Sequence, residues 1–143
     1  MTQEELLLNW EDGMAFSTNM DGFNISIDSV PEFGGQNKGP RPKPFMMLAL
    51  AGCTGIDVIS ILKKMRIKID SFQVKIESQI TDEHPKHYSE MKVIYILKGD
   101  DLPIDKIKRA VNLSEEQYCG VSAVYKKAMK LKSEIQINGE IIE

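Results

Sequence analysis

The chain contains only two cysteines, Cys53 and Cys119, and they are its first candidates for chemistry. Each lies in a segment predicted to be a helix with a buried apolar face, where a single cysteine is more often an inert core residue. A pair on two core helices permits more, because one thiolate can be oxidised to a sulfenic acid and the second thiol can condense with it to a disulfide. The sequence therefore leaves two interpretations open: structural residues or a redox pair.

Charged neighbours distinguish the two cysteines. Cys53 follows Pro44, the predicted helix start, by about 13 Å at 1.5 Å per residue, which is too far for the helix dipole to lower its pKa. Asp57 lies one turn further along the same helix face, and its negative charge opposes thiolate formation. Cys119 lies early in its own predicted helix, close to Glu115 and Glu116. Activation of Cys53 therefore requires a cation or hydrogen-bond donor from another part of the fold.

Two other motifs are weak candidates for ligand binding. His84 and His87 form an H-x-x-H in a polar hairpin tip, and with the two cysteines they would give four zinc ligands. No paired C-x-x-C or E-x-x-H accompanies them, so we expect no metal. Gly34, Gly35 and Gly39 precede a helix as in a phosphate loop, but no G-K-[ST] follows. We therefore interpret the glycine segment as a flexible turn and expect no cofactor.

The segment from Lys43 to Lys64 predicts one long central helix that starts near Pro44. Its first half is apolar on every side, which is typical of a helix buried inside its own fold or between subunits. A membrane span requires about 20 predominantly apolar residues, whereas this run is interrupted by glycines and by the ionisable Asp57. We therefore predict a core helix and no membrane association.

The remaining patterns predict an α+β protein with largely antiparallel sheets in the order β-β-β-α-β-β-α-α-β. Alternating apolar residues predict three short strands ending near Ile27, a long hairpin over about 69–97, and a last strand over 134–141. A short helix carries the stripe Ile104, Ile107 and Val111, and a third helix is predicted to begin at a capping box with Ser114 as cap. We expect a single domain spanning residues 1–143.

Composition limits the classes of partner. The chain is 42% hydrophobic and 27% charged with a formal net charge of −3, which is ordinary for a globular protein and gives no basic footprint for nucleic acid. The first eight residues lack both a basic region and a long apolar run, so we expect no secretory signal and a cytoplasmic location. In such a reducing compartment the cysteines are expected as thiols rather than as a structural disulfide.

Three ordered motifs resemble those of the OsmC/Ohr family of osmotically inducible and organic-hydroperoxide-resistance proteins. They are IDSVPEFGGxNxGP at 27–40, LALAGCTGIDVxxILKK at 48–64 and LSExxYCxVSA at 113–123. The resemblance covers nearly the whole chain, includes both cysteines, and is nearest to the general OsmC-like branch.

The resemblance implies a fold and an activity. The expected fold is an intertwined homodimer in which two long helices cross at the centre and sheets from both chains wrap around them. The expected reaction is thiol-dependent reduction of an organic hydroperoxide, with Cys53 as the peroxidatic residue, Cys119 as the resolving residue and a dithiol as the reductant. The sites are expected at the subunit interface.

The sequence departs from the archetypal peroxidases at two positions. Those proteins resemble one another in having a glutamate in the first turn of the central helix and an arginine from the N-terminal region. Here Pro44 occupies the glutamate's position and residues 1–40 contain no arginine, so Arg41 and Lys43 are the nearest candidate cations. The alternative hypothesis is therefore a non-enzymatic module that keeps the dimer scaffold and binds a small molecule.

Overall fold

The structure is a computed structural model that describes all residues from 1 to 143, and it confirms the α+β class. The elements are β1 (Asn9–Asp12), β2 (Ala15–Met20), β3 (Phe23–Ile27), a 3₁₀ turn (Pro31–Phe33), α1 (Phe45–Lys64), β4 (Ser71–Ile80), β5 (Tyr88–Lys98), α2 (Ile104–Leu113), a π-helical segment (Ser114–Tyr118), α3 (Gly120–Ala128), β6 (Lys130–Ile137) and β7 (Glu140–Ile141). The chain forms two compact units, Met1–Met46 and Met47–Glu143. A single domain over 1–143 stays a prediction.

In the first unit the three predicted short strands form an antiparallel meander in the order β1-β2-β3. Phe16 pairs with Ile27 and Thr18 with Ile25, so the alternating apolar residues share a face as the sequence indicates. Gly22, in the turn between β2 and β3, has φ 87°, a conformation that glycine adopts without steric cost. The three short strands predicted from the alternating residues are confirmed.

The glycine-rich loop after β3 folds around the carboxylate of Asp28. This residue is only 2% exposed and accepts N–H bonds from Ser29 at 2.7 Å, Gln36 at 2.9 Å and Lys38 at 3.1 Å. These donors hold its pKa below the ordinary aspartate value. A Cβ on Gly35 would lie 1.8 Å from the backbone oxygen of Ser29, so the close approach requires glycine. The loop's amides therefore bind an anion supplied by the chain itself.

The second unit is built on the sheet β4-β5-β6-β7. β4 and β5 form the predicted antiparallel hairpin, with Val74 opposite Tyr95, whereas β5 and β6 are parallel, with Tyr95 opposite Ile135. β5 is central and buried along most of its length, as the apolar end of its sequence predicts. The core comprises Leu50, Val58, Leu62, Tyr88, Met91, Val93, Tyr95, Leu97, Ile107, Ala110, Val111, Ile135 and Ile137.

Helix α1 starts directly after Pro44 and ends at Lys64, as predicted, but its burial is one-sided. A stripe at four-residue spacing is buried: Leu50, Thr54, Val58 and Leu62. Leu48 and Ile56 are 64% and 73% exposed, so the helix is not enclosed on all sides by its own chain. By length and hydropathy alone α1 is apolar enough to cross a membrane. However, its buried stripe belongs to the core of this unit, and Asp57 is hydrogen-bonded midway along it.

Three predicted boundaries are wrong. The third helix begins at Gly120 instead of Ser114, because residues 114–118 extend α2 as a π-helical segment and the Ser114 hydroxyl donates to Asp57 at 2.9 Å instead of capping a helix. The predicted last strand is two strands, since Asn138 and Gly139 both have positive φ and reverse the chain between β6 and β7. β6 also starts four residues earlier, at Lys130, where parallel pairing with Glu90 begins.

Candidate functional site

The structure brings the two cysteines together with one aspartate. Cys53 and Asp57 lie one turn apart on α1, and Cys119 immediately precedes α3. The two thiol sulfurs and a carboxylate oxygen of Asp57 all lie within 4.8 Å of one another, and both cysteines are free thiols. Residues far apart in sequence thus form one cluster of two sulfurs and one carboxylate, called the thiol site below.

Cys119 is held by the start of α3. Its backbone is extended, with φ −77° and ψ 104°, and its sulfur accepts the N–H of Ser122 at 3.3 Å as the N-cap of the helix. The side chain is 3% exposed. The sulfur therefore occupies the position in which a serine or aspartate oxygen usually satisfies a free helix N–H. Sequence reasoning placed Cys119 about a turn into a helix, whereas the π-helical segment moves that helix start to Gly120.

Cys53 is half-buried and its surroundings disfavour the thiolate. Burial is the main reason that the pKa of its thiol is raised, followed by its hydrogen bond with Cys119. The negative charge of Asp57 raises the pKa further, as the sequence predicts, whereas a hydrogen bond from the backbone N–H of Val121 lowers it. None of these groups is a cation. The surroundings of Cys53 therefore favour the neutral thiol over the thiolate.

Asp57 connects the thiol site to a cavity of about 550 Å³. Its Oδ2 accepts a hydrogen bond from the hydroxyl of Ser114, and this bond ties the carboxylate to the π-helical segment. Two cations, Lys64 and Arg109, line the same cavity. Its complete lining is Asp57, Ser60, Ile61, Lys64, Met65, Arg109, Leu113 and Tyr118.

The two cations of this cavity, Lys64 and Arg109, differ from the candidates Arg41 and Lys43 that the sequence indicates. The guanidinium of Arg41 donates to the backbone oxygen of Gly39 at 3.0 Å and to Asn37 Oδ1 at 2.8 Å, within its own loop. Sequence reasoning missed Ser114 as the partner of Asp57 because its S-x-x-Q pattern matched a capping box. It missed Arg109 because nothing local distinguishes a cavity-lining arginine from a solvated one on an amphipathic helix.

Two further titratable residues, the buried Tyr95 and the half-buried Glu115, lie near Cys119. Burial raises the pKa of the Tyr95 hydroxyl, and the nearby charges of Glu115 and Cys119 raise it further. That hydroxyl is fully buried and has no hydrogen-bond partner of good geometry. Burial also raises the pKa of Glu115, against the opposing hydrogen bond from Ser133. Burial in this region thus disfavours negative charge on Cys53, Tyr95 and Glu115.

The two histidines belong to a different part of the molecule. Nδ1 of His87 lies 2.8 Å from the backbone oxygen of Pro85, in the exposed tip between β4 and β5. The cluster of closely spaced metal-ligand side chains consists of Cys53, Asp57 and Cys119, and it includes neither His84 nor His87. The four-ligand combination considered from the sequence is therefore not assembled.

Comparison with known proteins gives concordant results. A family model described as OsmC-like protein matches residues 35–134. Protein YhfA of Escherichia coli strain K12 is 30% identical over 131 residues, which cover 91% of this chain and 95% of that protein. The crystal structure of a hypothetical protein from Aquifex aeolicus VF5 has 27% identity and a TM-score of 0.84, and the match covers 98% of this chain and 99% of that one. An organic hydroperoxide resistance protein OsmC from Legionella pneumophila has 14% identity and a TM-score of 0.65, with 95% and 99% of the two chains covered.

Proposed function

Because the chain belongs to the OsmC-like protein family, we propose that it is a thiol-dependent reductase of organic hydroperoxides that uses Cys53 and Cys119. The observation that carries the proposal is the position of the two free thiols, whose sulfurs lie within 4.8 Å of each other on separate elements. That arrangement supports a redox role, since formation of a disulfide requires two thiols whose sulfurs can approach each other. The name of the Legionella pneumophila protein supports organic hydroperoxides as the substrate class.

The proposed reaction has three balanced steps. The Cys53 thiolate attacks one peroxide oxygen, the O–O bond breaks, and the thiol proton leaves with the alkoxide as an alcohol. The Cys119 sulfur then attacks the sulfenic acid, so that the S–S bond forms and the hydroxyl group leaves with the Cys119 proton as water. An external dithiol finally reduces the disulfide by two exchange steps and is itself oxidised to a disulfide.

Exposure supports the assignment of the two roles. Cys53 is half-buried whereas Cys119 is buried, so a peroxide reaches Cys53 first. The backbone N–H of Val121 is a donor to the Cys53 sulfur and stabilises its thiolate. We propose the cytoplasm as the location, because glutathione and thioredoxin there return such a pair to the dithiol form.

The test compares peroxide consumption by the wild type with that of Cys53→Ser in the presence of a dithiol reductant. We expect wild-type turnover and a fall to background for Cys53→Ser. In a separate reaction without the dithiol, the Cys119→Ser variant should consume one equivalent of peroxide and then stop, with a sulfenic acid on Cys53 that dimedone traps. Equal peroxide consumption by wild type and Cys53→Ser would overturn the proposal.

We also propose that the chain forms a homodimer through the exposed side of α1. Leu48 and Ile56 on this helix are large apolar residues that the single chain leaves exposed. The same side borders an apolar groove of about 580 Å³ between α1 and β4, lined by Ala51, Gly52, Gly55, Ile56, Ile59, Ser60, Lys63, Phe72 and Val74. An apolar surface of this kind on a helix is typical of a protein interface.

Sedimentation velocity tests the dimer. The wild type should sediment as a dimer, and Ile56→Glu should shift it to the monomer because the introduced carboxylate is buried without a partner. Ile104→Glu is the matched control, since Ile104 is also exposed, at 45%, but lies on α2. A monomeric wild type, or an Ile56→Glu variant that stays dimeric, would contradict the interface.

A second candidate function is a small-molecule binding module that performs no redox chemistry. The raised pKa of Cys53, with no cation among the groups that shift it, favours this alternative. Under it, both thiols stay titratable after exposure to excess hydroperoxide. The peroxide-consumption test therefore separates the two candidates.

A further inference from the structure

The thiol site has the donor atoms of a metal centre. Cys53 and Asp57 come from consecutive turns of α1, and Cys119 comes from the start of α3, so the three ligand side chains converge from two rigid elements. Their donor atoms lie within 4.8 Å of one another. Thiolate sulfur and carboxylate oxygen are ligands that zinc accepts in proteins, whereas magnesium and calcium require oxygen alone.

The spacing is near that of a zinc centre. Zn–S bonds of about 2.3 Å and Zn–O bonds of about 2.0–2.2 Å place the donor atoms of a tetrahedral site about 3.5–3.8 Å apart. In the structure the donor atoms lie within 4.8 Å of one another, which is about 1 Å more than a tetrahedral zinc site requires. A small rotation of the side chains would close this gap. Three protein ligands leave the fourth position of a tetrahedron open to water or a small ligand.

The groups around the three side chains orient them as ligands. The Ser114 hydroxyl donates to Asp57 Oδ2 at 2.9 Å, and the N–H of Ser122 donates to the Cys119 sulfur at 3.3 Å. The Cys53 sulfur accepts a hydrogen bond from the backbone N–H of Val121. Donors of this kind fix the orientation of side chains that act as metal ligands.

We propose that the reduced protein binds one zinc ion through Cys53, Asp57 and Cys119. Binding converts two S–H groups into two Zn–S bonds and releases two protons, while the carboxylate supplies the third bond. Oxidation of the same thiols to a disulfide removes both sulfur ligands, so metal occupancy depends on the redox state. This is a separate property of the residues to which we assign the peroxide reaction.

The experiment uses the full-length reduced chain, freed of metal and titrated with zinc in competition with a chromophoric chelator. We expect one equivalent to bind, with release of protons into a weakly buffered solution. Cobalt should replace zinc and give a thiolate-to-cobalt charge-transfer band in the near ultraviolet. Disulfide-form protein and the double variant Cys53→Ser/Cys119→Ser should show neither signal.

Two further variants test the ligand set. Asp57→Asn should weaken zinc binding by at least about tenfold, since removing even an outer-shell partner costs about 10–100-fold. His84→Ala/His87→Ala is the matched control and should bind as the wild type does. Absence of a thiolate-to-cobalt band in the reduced wild type would overturn the proposal, and so would an unchanged affinity in Asp57→Asn.

Circular dichroism of each variant separates loss of binding from loss of fold. Because the titration uses metal-free protein without peroxide, its outcome is independent of the peroxide-consumption test. Zinc binding without peroxide turnover would support the zinc site and contradict the peroxide reaction. Peroxide turnover without zinc binding would contradict the zinc site and leave the peroxide reaction supported.

Discussion

Asp28 and Asp57 are carboxylates in two different settings, and the contrast separates a structural site from a chemical one. Asp28 accepts three backbone N–H groups of its own loop, which lower its pKa and stabilise its charge. Asp57 accepts one side-chain hydroxyl, from Ser114, and its charge raises the pKa of the neighbouring Cys53 thiol. The first carboxylate accepts three backbone donors, while the second accepts one and retains acceptor capacity next to the two thiol sulfurs.

The largest expected effect is on the Asp28 loop. Gly35→Ala places a Cβ 1.8 Å from the Ser29 oxygen, so the loop must open and the free energy of unfolding should fall by at least about 3 kcal/mol. Denaturant unfolding followed by the fluorescence of Trp10, the only tryptophan, measures this in the first unit. Gly120→Ala is the control, because a Cβ there meets nothing within 4 Å. Equal midpoints for both variants would show that the loop tolerates the side chain.

The next effect concerns the charge of Asp28. Because its pKa is lowered in the folded state, its stabilising contribution is present above the unfolded pKa of about 3.9 and is lost as pH falls through the folded pKa. Asp28→Asn should therefore be less stable than wild type at neutral pH, and the difference should shrink below about pH 4. Melting temperatures measured from neutral to acidic pH provide the comparison. A difference that is constant with pH would contradict the role of the charge.

A smaller effect is expected at the thiol site. Removing the negative charge in Asp57→Asn should lower the pKa of Cys53 and raise its rate of alkylation by iodoacetamide at neutral pH, by about 2–5-fold. In the wild type that rate should keep rising above the ordinary thiol pKa of about 8.5. Measurements in the Cys119→Ser background isolate Cys53. Glu83→Gln, which removes a charge at the hairpin tip, is the control and should leave the alkylation rate unchanged. If Asp57→Asn is alkylated at the wild-type rate, the charge of Asp57 does not raise the pKa of Cys53.

The smallest effect is expected at Tyr95. Its buried hydroxyl has no hydrogen-bond partner of good geometry, so Tyr95→Phe removes a poorly satisfied polar atom and keeps the ring packing. The free energy of unfolding should stay equal or rise by up to about 1 kcal/mol. Chemical denaturation measures it, with Tyr88→Phe as a control on the same strand. A loss above about 1 kcal/mol would mean that the hydroxyl has a partner in solution.

The sequence predicts those elements whose pattern is local. The alternation of Phe72, Val74 and Ile76 predicts the strand β4. The apolar run after Pro44 predicts the helix α1, and the structure confirms both elements. Ser114 was misassigned because its hydroxyl is used by Asp57, 57 residues away, and no local pattern records that contact. The parallel pairing of β6 with β5 was missed for the same reason.

The thiol site was predictable in composition but only partly in geometry. Two cysteines and the four-residue spacing of Asp57 are visible in the sequence, and their convergence is confirmed. The N-cap position of Cys119 was not visible, because it depends on the π-helical segment that follows α2. The cations of the cavity, Lys64 and Arg109, were not visible either, since cavity lining is a property of the folded chain.

Peptide mapping of the fully reduced chain after one equivalent of an alkyl hydroperoxide tests the central claim most directly. We expect mass spectrometry to detect a disulfide-linked peptide pair containing Cys53 and Cys119, with loss of both titratable thiols and recovery on addition of a dithiol. If both thiols remain titratable after excess hydroperoxide, the thiol site is not a redox pair and the proposed function is wrong.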